Sequence, residues 1–129
     1  MKLTVAPALP SLSRVKPATR EPLRVGLVQT KWHADPTEHE DALRAGIKLA
    51  AEAGAKIVFL QELTLSRYPA DVRPSGVPNA TAEDLDSGAT ASFAKKAAQD
   101  FGVFVHASLF EYENLADGRG WNTAIIVDP

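Results

Sequence analysis

Apolar residues recur along the chain at two different spacings, which predict alternating strands and helices. Runs rich in branched apolar residues predict buried strands over residues 23–29 and 56–61. Between these runs, Leu43, Ile47 and Ala50 recur at helical spacing, and charged residues occupy the other faces. A strand, a helix and a second strand in this order predict a βαβ unit with parallel strands and a right-handed crossover.

The ends of the first helix carry residues that favour starting and stopping a helix. Asp35 can cap the first turn, Pro36 suits the first helical position, and Glu38 follows at the spacing of a capping box. Gly54 is well placed to adopt the left-handed conformation after the last turn. We therefore expect the helix to lie between Asp35 and Gly54.

The second half of the chain repeats the strand and helix pattern after an irregular stretch over 64–88. A helix is predicted over 89–101 and ends at Gly102. Strands are predicted over 103–111 and 121–127, and the short loop between them favours an antiparallel hairpin. Because several strands are continuously apolar, they require cover on both faces, as in the sheets of α/β proteins.

The first 22 residues have a different character from the rest. Four of the nine prolines lie there, among basic residues, and proline interrupts both helices and strands. We expect residues 1–22 to be a disordered arm and residues 23–129 to form the folded part. The basic and Ser/Thr content with few acids also leaves an organelle transit peptide open.

Composition and charge exclude several classes of function. The net charge of −2 provides no field that would favour nucleic acid or an anionic membrane, and the apolar runs are too short to span a bilayer. The chain has no cysteine, and its three histidines are scattered, so no zinc spacing is present. We expect no metal and no membrane or nucleic-acid partner, and we expect a cytoplasmic location.

Glu62 is the candidate for chemistry, because it directly follows the strand over 56–61. Functional groups of α/β proteins lie at the carboxyl ends of the strands. A half-desolvated carboxylate there holds its proton more readily and can serve as a general base. A solvated glutamate at a strand end remains the alternative interpretation from the residues alone.

Other polar residues have simpler interpretations. Glu111 follows the third strand and shares the topological position of Glu62, but a structural or surface role is favoured. Asn122 is expected to satisfy backbone groups near the start of its strand. Lys95 and Lys96 lie on the predicted second helix and are expected to be solvated.

Four blocks of sequence resemble the nitrilase superfamily of carbon–nitrogen hydrolases, in the right order and spacing. They cover about residues 23–129 and read LRVGLVQ, KIVFLQEL with SRYP, GVFVHASLFE and WNTAIIVDP. One difference is Gln61, which stands where many members have proline. The resemblance implies the N-terminal part of an α-β-β-α sandwich, and it is nearest to the amidase and N-carbamoylputrescine-amidase-like branches.

The resemblance also implies a Glu–Lys–Cys mechanism that needs no metal or organic cofactor. Only the glutamate has a counterpart in this chain, at Glu62. The lysine is expected on the segment that should follow Pro129, and the cysteine later still. Tyr68 falls in the loop that helps line the substrate pocket in similar proteins, and a loop anchor is the alternative for it.

The implied function is hydrolysis of a non-peptide C–N bond in a small amide or N-carbamoyl compound, by an enzyme that is a homo-oligomer when complete. The 129 residues alone are expected to be inactive, since they contain no thiol nucleophile. The first explanation is a chain cut short at its C-terminus. The alternative is a non-catalytic fragment or a binding module of nitrilase-like fold.

Overall fold

The computed structural model describes residues 1–7, 9, 12, 16–17, 19–68, 81–113 and 120–129. Its helices and strands follow one another as β1 (Val25–Leu27), α1 (Pro36–Glu52), β2 (Ile57–Phe59), α2 (Ala89–Phe101), β3 (Phe104–Tyr112) and β4 (Gly120–Val127). The predicted order of strands and helices is therefore confirmed.

The strands form one sheet in the order β1-β2-β3-β4. The pairs β1–β2 and β2–β3 are parallel, whereas β3 and β4 form the predicted antiparallel hairpin. The helices α1 and α2 contact each other and share one buried cluster with the sheet, so both lie on the same face. Parallel strands joined by helices place their carboxyl ends at one edge of the sheet.

Helix α1 begins and ends as its sequence predicts. Asp35 is the N-cap, and its Oδ1 accepts a hydrogen bond of 3.0 Å from the Glu38 N–H. The Glu38 carboxylate does not complete the capping box, because it instead contacts His33 Nδ1 at 2.7 Å. Gly54 follows the last turn with φ of 89°, a left-handed conformation that suits glycine.

Helix α2 has an N-terminus capped by a distant carboxylate. Gly88 stands at the N-cap position and has no side chain, so Glu83 accepts bonds from the Thr90 N–H at 2.6 Å and the Thr90 hydroxyl at 2.7 Å. The Glu83 backbone also pairs with Glu111 of β3 in an isolated bridge. The segment before α2 is thereby attached to the sheet.

The helix-covered face of the sheet contains the core of the chain. Aliphatic side chains of α1 and the sheet pack there, with Leu43, Ile47, Val58 and Val105 fully buried. A Cβ added to Gly26 would come within 2.7 Å of the Ala50 Cβ, so α1 lies directly against β1. Burial of these side chains supplies most of the stabilisation of the helix layer.

The opposite face of the sheet, here called the open face, carries large apolar side chains that the described residues leave largely exposed. They include Leu27 at 80% exposure, Phe104 at 45% and Ile126 at 60%. The first strand, over 23–29, is expected from its sequence to be largely buried. This prediction is wrong, since only Gly26 and Val28 of this range are buried. In the expected sandwich this face is the one that a second sheet would cover.

The strands β1 and β2 are shorter than predicted, at three residues each instead of 23–29 and 56–61. The residues beyond β2 turn away from strand geometry. The Met1 side chain lies beside Gly46 of α1, where an added Cβ would come within 2.9 Å of the sulfur. The boundary at residue 23 stays a prediction.

Within the described residues, neither helix combines the length and the apolar character that crossing a membrane requires.

Candidate active site at the carboxyl edge of the sheet

Glu62 lies in a turn that takes the place of strand β2 beside β3. The parallel pairing of β2 with β3 ends at Phe59 and His106, and the Leu60 N–H still donates to the His106 carbonyl at 3.1 Å. Two residues beyond Glu62, the Thr64 N–H donates to the Ser108 carbonyl at 2.8 Å. The chain therefore bulges away from β3 between these two hydrogen bonds, and Glu62 lies in this bulge.

Leu63 gives this turn its shape, because its φ of 51° lies in the left-handed region that side chains disfavour. The conformation costs about 1–2 kcal/mol in a residue with a Cβ. Leu63 is buried, and its N–H donates to Ser108 Oγ at 3.2 Å. An observed backbone outlier that surrounding contacts hold in place is typical of functional sites.

The buried side chains of Thr64 and His39 hold the turn in place through hydrogen bonds. The Thr64 hydroxyl donates to the Gln61 carbonyl at 3.1 Å and accepts from the Ser108 N–H at 3.0 Å. His39 of α1 is 2% exposed, and its Nε2 contacts the Thr64 carbonyl at 2.9 Å. Because a carbonyl only accepts, the ring proton lies on Nε2, which leaves Nδ1 to accept from the His33 N–H at 3.4 Å.

Gln61 joins the loop after β1 to the loop after β2. Its Oε1 accepts a hydrogen bond of 3.0 Å from the Thr30 N–H. A proline at this position, as many members of the superfamily have, could not make that bond. Gln61 therefore forms a hydrogen bond at the carboxyl edge of the sheet that proline could not form.

The side chain of Asn122 contacts Glu62 across β3. Its Nδ2 donates to Glu62 Oε1 at 2.6 Å, and its Oδ1 lies 3.4 Å from Ser108 Oγ. The expectation that Asn122 satisfies backbone groups is thus wrong, since both contacts are to side chains. Position alone could not reveal this, because the two partners are 60 residues apart in sequence.

Glu62 itself is exposed, so the expected partial burial of its carboxylate is wrong within the described residues. The described residues leave this edge of the sheet open. The Asn122 amide and the fixed turn orient the Glu62 carboxylate. Any desolvation of this carboxylate would have to come from groups other than the described residues.

The other candidate residues lie in different surroundings. Tyr68 is 52% exposed, six residues beyond Glu62, and residues 69–80, which follow it in sequence, lie outside the described residues. Glu111 does not join Glu62, because its Oε2 accepts from the Thr123 hydroxyl at 2.6 Å. Lys95 and Lys96 are exposed on α2, as predicted.

Two carboxyl groups with shifted pKa values lie away from this turn. Hydrogen bonds from the Ser87 side chain and from nearby backbone N–H groups hold the pKa of Asp84 below its ordinary value. The pKa of Asp100 is lowered by the hydrogen bond from Arg44 of α1. Over residues 19–68, 81–113 and 120–129 no group of His, Asp or Glu side chains is arranged to hold a metal ion.

The sequence of residues 24–129 matches the family model of carbon–nitrogen hydrolases. Since this match includes most of the chain, the protein belongs to the carbon–nitrogen hydrolase family, within the nitrilase superfamily. A search of curated proteins finds no match.

Solved structures of the family share the fold. A carbon–nitrogen hydrolase from Helicobacter pylori G27 superposes with a TM-score of 0.57 at 21% identity, covering 82% of this chain and 35% of its own. XC1258 from Xanthomonas campestris, a CN-hydrolase superfamily protein whose structure has an arsenic adduct in the active site, gives 0.53 at 24% identity, with 82% and 40% covered. The α/β sheet with its helices is thus the fold of this family, and the chain spans well under half the length of either structure.

Proposed function

We propose that this chain is the N-terminal part of an enzyme that hydrolyses a non-peptide C–N bond in a small amide or N-carbamoyl compound, with Glu62 as the general base. The observation that carries the proposal is the placement of Glu62. It lies on a conformationally fixed turn at the carboxyl edge of the sheet, within the region that matches the carbon–nitrogen hydrolase family.

The role of Glu62 in this reaction is to move a proton. Its carboxylate accepts the proton of a cysteine thiol as the sulfur attacks the carbonyl carbon, and the proton then passes to the departing nitrogen. A thioester remains. Water adds to its carbonyl carbon while Glu62 accepts the water proton, which returns to the sulfur as the acid is released.

The nucleophile and the oxyanion-stabilising lysine of this mechanism come from the superfamily resemblance. The 129 residues contain no cysteine, so the thiol is provided from outside them. In this proposal, both groups lie on the segment expected after Pro129. The chain by itself is then inactive, because positioning cannot replace the attacking atom.

Tyr68 is the proposed contact to the substrate. Its ring is half exposed and lies on the loop that leaves the Glu62 turn. A phenol has an apolar ring for a small substrate and a hydroxyl that can donate to a carbonyl oxygen. We further propose that the complete enzyme acts in the cytoplasm as a homo-oligomer, as the superfamily resemblance suggests.

The decisive experiment replaces Glu62 by glutamine in the full-length protein. Ammonia release is measured over a panel of small aliphatic amides and N-carbamoyl amino compounds. Loss of the proton acceptor is expected to lower kcat by about 10²- to 10⁴-fold. Circular dichroism should be unchanged, because the substitution preserves the shape of the side chain.

A matched control makes the same chemical change elsewhere. Glu52 is exposed at the far end of α1, where it pairs with Lys48. Glu52→Gln is expected to retain full activity. If Glu62→Gln turns over every accepted substrate at the wild-type rate, the proposed role of Glu62 is wrong.

A further inference from the structure

Asn122 and Glu62 are 60 residues apart in sequence, and the pairing of the strands brings their side chains into contact. Asn122 lies opposite Phe110 in the β3–β4 register, and Ala124 lies opposite Ser108. Asn122 and Ser108 are therefore diagonal neighbours on the open face. Because β3 separates Glu62 from β4, the carboxylate must reach over β3 to meet Asn122, and it does so at Ser108, whose side chain is small.

The amide of Asn122 can point in only one direction in this arrangement. The Ser108 hydroxyl accepts from the Leu63 N–H, and its own proton is directed to Asn122 Oδ1 at 3.4 Å. The Nδ2 group is then directed to Glu62 Oε1. Reversing the amide would place two oxygens against each other, so the donor and acceptor inventory fixes the orientation.

These contacts close a ring that begins and ends in the same turn. It runs from the backbone of Leu63 through Ser108 and Asn122 to the carboxylate of Glu62. In the described part of the chain, Glu62 Oε1 has this one donor, and Oε2 has no hydrogen bond. One oxygen of the carboxylate is therefore held, and the other is available to accept a proton.

We propose that Asn122 is the positioning residue for Glu62: it holds Oε1 and so directs Oε2 at the proton that the reaction must remove. This inference rests on the proposed function, since it assigns Glu62 a proton to accept. Asn122 acts through Glu62 and does not contact the reacting atoms. Misplacing a catalytic group by about 1 Å can cost about 10²-fold in rate, so the effect is expected in kcat.

The test uses the full-length protein and the variants Asn122→Ala and Asn122→Asp. The alanine variant removes the donor, and the aspartate variant keeps the shape but faces Glu62 with a second carboxylate. Expected losses in kcat are about 10- to 100-fold for alanine and larger for aspartate, with KM within about threefold. Thermal unfolding should change little, because the site is exposed.

A double-mutant cycle separates positioning from a merely structural role. If Asn122 acts only through the Glu62 carboxylate, Asn122→Ala costs nothing further in a Glu62→Gln background. The control is Thr123→Val, which removes the equivalent bond to Glu111 from the next residue of β4 and should leave kcat unchanged.

Each outcome supports or overturns a separate claim. Wild-type activity of Glu62→Gln overturns the proposed function, and the positioning role with it. A Glu62→Gln variant with strongly reduced kcat, combined with unchanged kcat in both Asn122 variants or with additive losses in the cycle, overturns the positioning role alone. Failure of both Asn122 variants to fold would also overturn it, because Asn122 would then be a structural residue.

Discussion

The two faces of the sheet differ in how their side chains are covered. On the helix-covered face, small and aliphatic residues such as Gly26, Val58 and Val105 meet α1 and α2. On the open face, larger residues such as Leu27 and Ile126 remain 80% and 60% exposed. Among the described residues, one face of the sheet is therefore covered by helices and the other is largely exposed, which matches one sheet of a two-sheet sandwich.

The comparison also shows on which face the candidate active site lies. The side chains of Ser108 and Asn122 lie on the open face, together with the carboxylate that they hold. His39 approaches the same turn from the helix side. The helix layer thus fixes the backbone of the Glu62 turn, whereas the open face orients its side chain.

The largest effect is expected on the helix-covered face. Leu43 is fully buried between α1 and the sheet, so Leu43→Ala in the full-length protein should lower the free energy of unfolding by about 2–5 kcal/mol. Denaturant unfolding measures this change. The control, Leu85→Ala, truncates a leucine that is 37% exposed and should cost far less. Equal losses in both variants would mean that the helix face is not the core.

A smaller effect on stability is expected on the open face. Residues 1–129 produced alone should bind an apolar dye and self-associate, because the side chains of Leu27 and Ile126 are exposed to solvent. Replacing both by serine should reduce dye binding and association while changing the free energy of unfolding by about 1 kcal/mol or less. Size exclusion and dye fluorescence report the outcome. A monomeric wild-type chain without dye binding would show that this face needs no cover, and would favour a binding module.

The smallest effect concerns the ion pair that joins the two helices. Arg44 of α1 contacts Asp100 of α2 at 2.5 Å and lowers the pKa of the Asp100 carboxyl. A lowered pKa contributes stability above the unfolded value of the group, and the contribution is lost as the pH falls through the folded value. Asp100→Asn should therefore slightly reduce the loss of stability that occurs as the pH falls. Thermal unfolding from pH 7 to pH 2, compared with Asp41→Asn, measures the difference.

Local sequence predicted the helices and the order of strands because the required signals are short. Asp35 and Gly54 define the ends of α1 through contacts within a few residues, and Gly102 ends α2 in the same way. The strands β1 and β2 are shorter than their apolar runs predict. Apolar composition continues to Leu60, but the strand ends where pairing to β3 gives way to the Glu62 turn.

Sequence alone determined the type of protein and its most informative residue. The ordered blocks around Glu62 identified the carbon–nitrogen hydrolase family, which the family match then showed. Only the tertiary structure decided what holds Glu62. Ser108, Asn122 and His39 reach the turn from β3, β4 and α1, and no spacing along the chain records these contacts. The physical reason is that a carboxylate is oriented by hydrogen bonds through space, and the sheet brings together residues as far apart as Glu62 and Asn122.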